Sequence, residues 1–285
     1  MVFSSLFGMF LALSASGLIG ASDFCGGLAS RRGGELRVTM VTNIAGAVLL
    51  SIYSLIWREA LLPLKDVIWC ALAGICGALA IIFIYRAFTM GSTAAVAPIA
   101  GVIGAALPAI FGMITEGLPV FTQLLGFLVA LPGIVLVSMT EVESHEKVKK
   151  EVLLLAVLSG IAAAGFFTFL SWVESSAVVL PSLIAKVASL CTALLLVVLR
   201  PKRGDEVPIR QIPPIAILGG VLDSTASALY VFAQQLTRLD VAVVLTSLYP
   251  ASTILLAYLI QKEEISRRQW VGVVLCLIAI VLIVV

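Results

Sequence analysis

Two stretches decide the fold: SLIAKVASLCTALLLVVL (residues 182–199) and IAILGGVLDSTASALYVFAQ (residues 215–234). Each belongs to an apolar run long enough to cross the roughly 30 Å hydrocarbon core of a bilayer as a helix. Each also carries one charge near its middle, Lys186 and Asp223. An ionisable side chain at mid-membrane costs about 2.5–3.5 kcal/mol on insertion scales. Such a group therefore needs a partner, a cavity or both. On a helix, Ser182, Lys186 and Ser189 fall on one face, and so do Asp223, Ser227, Tyr230 and Gln234. Two polar stripes with one charge each predict the walls of a binding site rather than surfaces turned to lipid.

The rest of the chain agrees with a membrane setting. Of its 285 residues, 61% are hydrophobic and 12% charged, with a mean hydropathy of +1.16. A soluble domain averages about 45–50% apolar and about 25% charged, so the sequence predicts an all-α, polytopic protein embedded in lipid. A net charge of +2 confined to loops says little about partners. No basic cluster is interleaved with stacking aromatics, which argues against nucleic acid. The five cysteines lie in apolar surroundings with no C-x-x-C pair, and are expected as small apolar residues of helix interiors. The single histidine, His145, sits in a charged loop, so neither a metal site nor a cofactor is expected. No Lys or Arg precedes the first apolar run, so that run is expected to stay as a helix rather than be removed as a signal peptide.

Ten spans follow at 5–28, 37–57, 66–89, 92–114, 120–139, 152–173, 177–199, 212–236, 240–260 and 268–285. The longest polar connection, EVESHEKVKKE (residues 141–151), separates five helices from five. The ends of the two halves read alike. GMITEGLPVFTQLLGFLVALPGIVLVSM and AYLIQKEEISRRQWVGVVLCLIAIVLIVV each hold an acidic residue (Glu116, Glu263), a polar turn, a Gln (Gln123, Gln269) and a Gly (Gly126, Gly272). Five helices per copy is an odd number, so the copies must run in opposite directions through the membrane. The expectation is an inverted repeat, 1–140 and 152–285 joined by 141–151, with a site near mid-plane between them.

At this point the residues resemble a known family. The spacing from Pro250 to Glu263, followed by Ile265, Ser266, Gln269 and Gly272 as I-S-x-x-Q-x-x-G, is similar to the EamA domain of the drug/metabolite transporter superfamily. The segments SDFCGGLASRR (residues 22–32) and YRAFTMGSTAAVAPIAG, and the SLYP motif at Ser247, are similar to one bacterial branch of it. The first half departs from the pattern, with Ile103 where the second has its proline. The resemblance implies a ten-helix, multi-pass carrier in the cytoplasmic membrane that moves a small molecule through the lipid bilayer. It leaves the substrate open.

Loop charges give an orientation. Thirteen Lys and Arg residues lie in the loops after the first, fifth, seventh and ninth helices, against Arg58, Lys65 and Arg238 on the other side. That bias places the thirteen in the cytoplasm and both termini outside, whereas relatives are usually drawn with both termini inside.

Lys186 and Asp223 are the first candidates for substrate or coupling, since a buried ion pair is a poor stabiliser compared with apolar packing. Opening and closing the pair would admit or release a proton, so a proton or a counter-substrate is an expected partner. Asn43, Ser227, Tyr85, Tyr230 and Tyr249 are candidates for lining the cavity, and Asp23 with Arg86 for a gate at one membrane face. Pro98, Pro108 and Pro250 are expected to interrupt the fourth and ninth helices. Glu116 and Glu263 are expected to cap turns. No Walker motif is present, so ATP is not expected to be hydrolysed by the chain. The competing class, an intramembrane enzyme acting on a lipid-linked substrate, needs a nucleophile with its base or a carboxylate–metal cluster. The sequence offers no such set: no H-E-x-x-H, no G-x-S-x-G and no intramembrane His.

Overall fold

The computed structural model describes residues 2–33, 35–90, 93–138, 150–199, 212–261 and 266–284. Helices are the only regular elements there, because a lipid-embedded backbone must satisfy its N–H and C=O groups within each segment. In order they are α1 (Val2–Gly33), α2 (Glu35–Trp57), α3 (Leu64–Met90), α4 (Thr93–Glu116), α5 (Phe121–Ser138), α6 (Lys150–Ser171), α7 (Val179–Leu199), α8 (Ile215–Leu236), α9 (Leu239–Thr246), α10 (Tyr249–Leu256) and α11 (Arg267–Val284), with a π-helical turn at Ala257–Gln261 after α10. Nine runs of these residues are long and apolar enough to cross a membrane, counting α9 and α10 as one, and the shorter α5 makes the tenth. The protein is an all-α, polytopic membrane protein. Its outer surface carries exposed Phe10, Val48, Leu128, Leu195 and Leu277, a pattern that only lipid tolerates on this scale. Cys191 joins that surface rather than a helix interior, while Cys25, Cys70 and Cys276 are buried.

Of the two interruptions expected at prolines, the ninth span shows its own and the fourth does not. The ninth span is broken into α9 and α10 at Ser247–Leu248. Pro250 has no N–H for the carbonyl of Thr246, four residues earlier, and α9 ends at Thr246. Shorter bonds, Leu248 N–H to Leu245 O and Ala251 N–H to Leu248 O, carry the chain across the break. The fourth span is uninterrupted, although it contains both Pro98 and Pro108. A proline deletes one hydrogen bond but need not end a helix when a neighbour braces the turn. Here α6 does so: Gly160 packs against Ala100 and Ile103, and Gly104 against Ala163.

Small residues set the packing. α1 lies along α8, α3 along α6, α2 along both α7 and α8, α3 also along α7, α4 along α6 and α9, α1 along α9 and α10, and α5 along α11. At Gly220 an added Cβ would lie 2.2 Å from the carbonyl oxygen of Thr42, and at Gly74 2.1 Å from that of Ala185. Only glycine lets those backbones come so close. These two contacts draw α2, α3, α7 and α8 together at mid-depth, where the two charged stripes sit.

Candidate functional site

Lys186 and Asp223 meet. The Lys186 ammonium donates to Asp223 Oδ2, with the lysine side chain 12% and the aspartate 37% exposed. Neither side chain makes another hydrogen bond or ion pair among the described residues, so the ammonium and the second carboxylate oxygen keep bonding capacity to spare. A turn away, Asn43 Nδ2 donates to Ser189 Oγ over 3.2 Å, joining α2 to α7 inside the bundle. Ser227 Oγ donates to the carbonyl of Asp223, 2.9 Å away, so its hydroxyl is held by its own helix. Ser182, one turn before Lys186 on the same face of α7, is buried with no partner for its Oγ among the described residues.

The other expected residues are placed differently. Tyr230 is fully buried, its hydroxyl donating to Phe167 O (3.3 Å) and its ring edge-on to Phe167 at 4.9 Å. It lies about 10 Å along α8 from Asp223, so it closes the polar stripe in this conformation. Beyond it, Phe111, Trp172, Glu116 and Gln234 help to line a cavity of about 200 Å³. Gln234 Nε2 donates to Leu170 O (2.8 Å), while its Oε1 is buried without a partner among the described residues. This cavity is separate from the ion pair, and its charged member, Glu116, already caps α9. Tyr249 opens α10 directly after the break and is half-buried. The carbonyl of Tyr249 packs on Gly20 of α1, and Thr253 Oγ1 donates to Gly20 O (3.2 Å). Asp23 on α1 and Arg86 on α3 are both exposed. Tyr85 lies in α3, but its side chain is outside the described residues, as is Glu263.

Sequence reasoning missed how the ends of α2, α4, α6 and α8 are sewn together. Both oxygens of Glu59 accept from backbone N–H groups at the start of α7: Val178 (2.8 Å), Val179 (3.0 and 3.1 Å) and Leu180 (2.8 Å). A carboxylate there satisfies orphan donors and meets the positive end of the helix dipole. Asp66 does the same for Glu174 and Ser175 N–H, and Lys65 pairs with Glu174 (2.6 Å). Arg238 donates to both oxygens of the fully buried Asp240 and to the carbonyls of Glu116 and Gly117. Asp240 holds the Arg238 guanidinium, outside the spans, even more firmly protonated than usual. Glu116 Oε1 accepts from Leu239 N–H (3.2 Å), capping α9 as expected. The available signal was an acidic residue in or beside each short loop.

The Gln and Gly shared by the two halves have reciprocal partners. Gln269 Nε2, at the start of α11, donates to Val137 O at the end of α5 (3.4 Å). Gln123 Nε2, at the start of α5, donates to Ile283 O at the end of α11 (3.5 Å). Gly126 packs on Ile283 and Gly272 on Val137. Gln269 and Ser266 also form a capping box that opens α11.

Residues 150–285 match the EamA-like transporter family. Among solved structures 28 chains match. One of them, described only as "Crystal structure of protein", superposes with a TM-score of 0.75 at 14% identity, covering 96% of this chain and 95% of that one. At that identity the likeness shows the fold alone. No curated protein matches.

Proposed function

We propose that the chain, whose residues 150–285 match the EamA-like transporter family, is a secondary carrier working by alternating access, in which two five-helix halves rock about the Lys186–Asp223 pair. The pair carries the reading: two charges at mid-bundle with unused bonding capacity suit a site that exchanges its internal partner for a solute. Asn43, Ser227 and Tyr249 would complete the lining. A proton or a counter-substrate would complete the cycle.

The repeat reading, 1–140 and 152–285 about a linker at 141–151, is supported by helix contacts that exchange under a two-fold. α1 against α8 mirrors α3 against α6, and α2 against α8 mirrors α3 against α7. The reciprocal Gln123 and Gln269 bonds follow the same rule. If the loop charges set the orientation in a cytoplasmic membrane, the sewn end faces outside, and Tyr230 with Phe167 bars the site from that side. Cysteines at Ser144 and Asp205 should then resist an impermeant maleimide in intact cells, while one at Thr237 reacts; the reverse pattern inverts the orientation.

Counterflow of radiolabelled small solutes in proteoliposomes tests the function. The Lys186→Met/Asp223→Asn double variant should fold and fail to carry. A double variant that transports at the wild-type rate reduces the pair to a helix tie.

A further inference from the structure

The cavity at the sewn end is lined for a ligand of one chemical kind. It holds about 200 Å³ near the ends of α4, α6 and α8, and its polar side chains are Thr115, Glu116, Ser171 and Gln234. Both hydroxyls spend their protons on their own helices. Thr115 Oγ1 donates to Phe111 O (3.0 Å) and Ser171 Oγ to Thr168 O (2.7 Å), so each keeps only lone pairs for a ligand. Gln234 is oriented by Leu170, whose carbonyl accepts from Nε2 at 2.8 Å and could not pair with the amide oxygen. Its Oε1 is thereby left buried with no partner among the described residues. Glu116 caps α9 with Oε1, and no bond among the described residues engages its Oε2. The neighbouring guanidinium, Arg238, is answered by Asp240. It donates to the backbone carbonyls of Glu116 and Gly117 rather than to the Glu116 carboxylate. The spare capacity of the four side chains is therefore weighted toward acceptors and carries one negative charge.

Two aromatic rings share the lining. Phe111 and Trp172 meet at 5.8 Å and 60°, and Trp172 is held further by Trp69 (4.6 Å) and Phe169 (5.4 Å). The faces of such rings attract a cation.

We propose that this cavity is a binding site for an organic ammonium ion. Glu116 Oε2 takes the charge, Gln234 Oε1 and the two hydroxyls take the N–H groups, and Phe111 and Trp172 cover the carbon chain. An anion would meet a carboxylate and three acceptors. Gln234 lies one turn beyond Tyr230 on α8, so the bound cation sits on the far side of Tyr230 from the Lys186–Asp223 pair. Such binding goes beyond the carrier reading and does not depend on it.

Protection of a cysteine reads the site without knowledge of the natural ligand. Ser171→Cys is made in a background where Cys76 and Cys191, the two cysteines that are not buried, are alanine. The purified full chain in detergent is modified with methyl methanethiosulfonate, at a mildly alkaline pH where n-butylammonium stays charged. Butylammonium should slow the reaction at a concentration where butyrate does not. Glu116→Gln removes the charge but keeps a carbonyl oxygen for the α9 cap. It should raise the half-protecting concentration of butylammonium about tenfold, the size of one charge-assisted hydrogen bond. Gln234→Met should raise it about fivefold by removing the free acceptor. This second variant leaves the cap untouched, so it reads the site even where the first fails to fold. Equal protection by butyrate and butylammonium, or none by butylammonium, overturns the proposal. A half-protecting concentration unmoved by Glu116→Gln or by Gln234→Met also overturns it, as does a thiol that the reagent never reaches. Failure of the carrier reading would show instead in proteoliposome counterflow, a separate measurement.

Discussion

Two of the protein's ion pairs are built to opposite specifications. Arg238 and Asp240, at the sewn end, are saturated. The aspartate is fully buried and accepts from the guanidinium and from Val241 N–H, while Arg238 spends further donors on Glu116 and Gly117. Lys186 and Asp223, at mid-bundle, make one bond to each other and leave the aspartate more than a third exposed. A saturated pair has nothing left for a ligand and works as a fastener. An unsaturated, partly exposed pair is a weak fastener with capacity for something else. An enclosed charge therefore does not by itself leave room for a ligand; spare coordination does.

The contrast can be broken by mutation. Arg238→Met leaves the buried Asp240 with only the Val241 N–H to answer its charge and should cost about 3–5 kcal/mol, read as the largest drop in thermal stability in detergent. Adding Asp240→Asn should recover most of it. Were Arg238→Met nearly neutral, the end cluster would not be the fastener described here.

Lys186→Met should cost less stability, about 1–3 kcal/mol, since the carboxylate left behind can draw on water. Transport should fall at least about 100-fold, the arithmetic of roughly 3 kcal/mol of lost solute binding. A Lys186→Met protein that carries solute normally would erase the distinction between the pairs.

Next in size comes the contact that brings the stripes together. Gly220→Ala places a methyl group 2.2 Å from the carbonyl of Thr42 and should cost about 1–3 kcal/mol by overpacking. Gly46→Ala meets only the Ser224 hydroxyl at the closest point, 1.8 Å, and Ser224→Ala in the same chain should relieve part of its cost. Equal melting temperatures for Gly220→Ala and the wild type would show that α2 and α8 can separate freely.

The smallest effect sharpens the outline of the site. Asn43→Ala removes the bond to Ser189 and should cost about 1 kcal/mol. If Asn43 lines the cavity, the apparent Km should rise with little change in unfolding temperature. A pure stability loss would make it a helix tie of the Arg238 kind.

Much of this was legible beforehand. Helices follow from apolar length, because lipid leaves the backbone no other partner. The mid-membrane pairing of Lys186 with Asp223 follows from the cost of leaving either alone. Gln123 and Gln269, matched by spacing, prove to be matched in space. The prolines were harder to judge, since Pro108 is carried within α4 while the helix breaks just before Pro250. Propensity weighs both prolines alike, and the neighbour that braces the turn is invisible in one dimension. Tyr230 shares a face with Asp223 along α8, but whether it faces a ligand or Phe167 depends on where α6 lies.

By itself, the sequence determined the number of the spans, the two charges at depth and the matched Gln and Gly motifs. Each of these depends on a residue's own transfer energy or on its spacing along one helix. Only the tertiary structure decided which polar groups are spent and which are spare. It sealed Arg238 and Asp240 into a saturated knot and set Glu59 against the start of α7. Those outcomes arise between helices far apart in the chain, where a few glycines determine how closely the backbones approach. Coordination falls off within a few ångströms, so no sequence spacing encodes it.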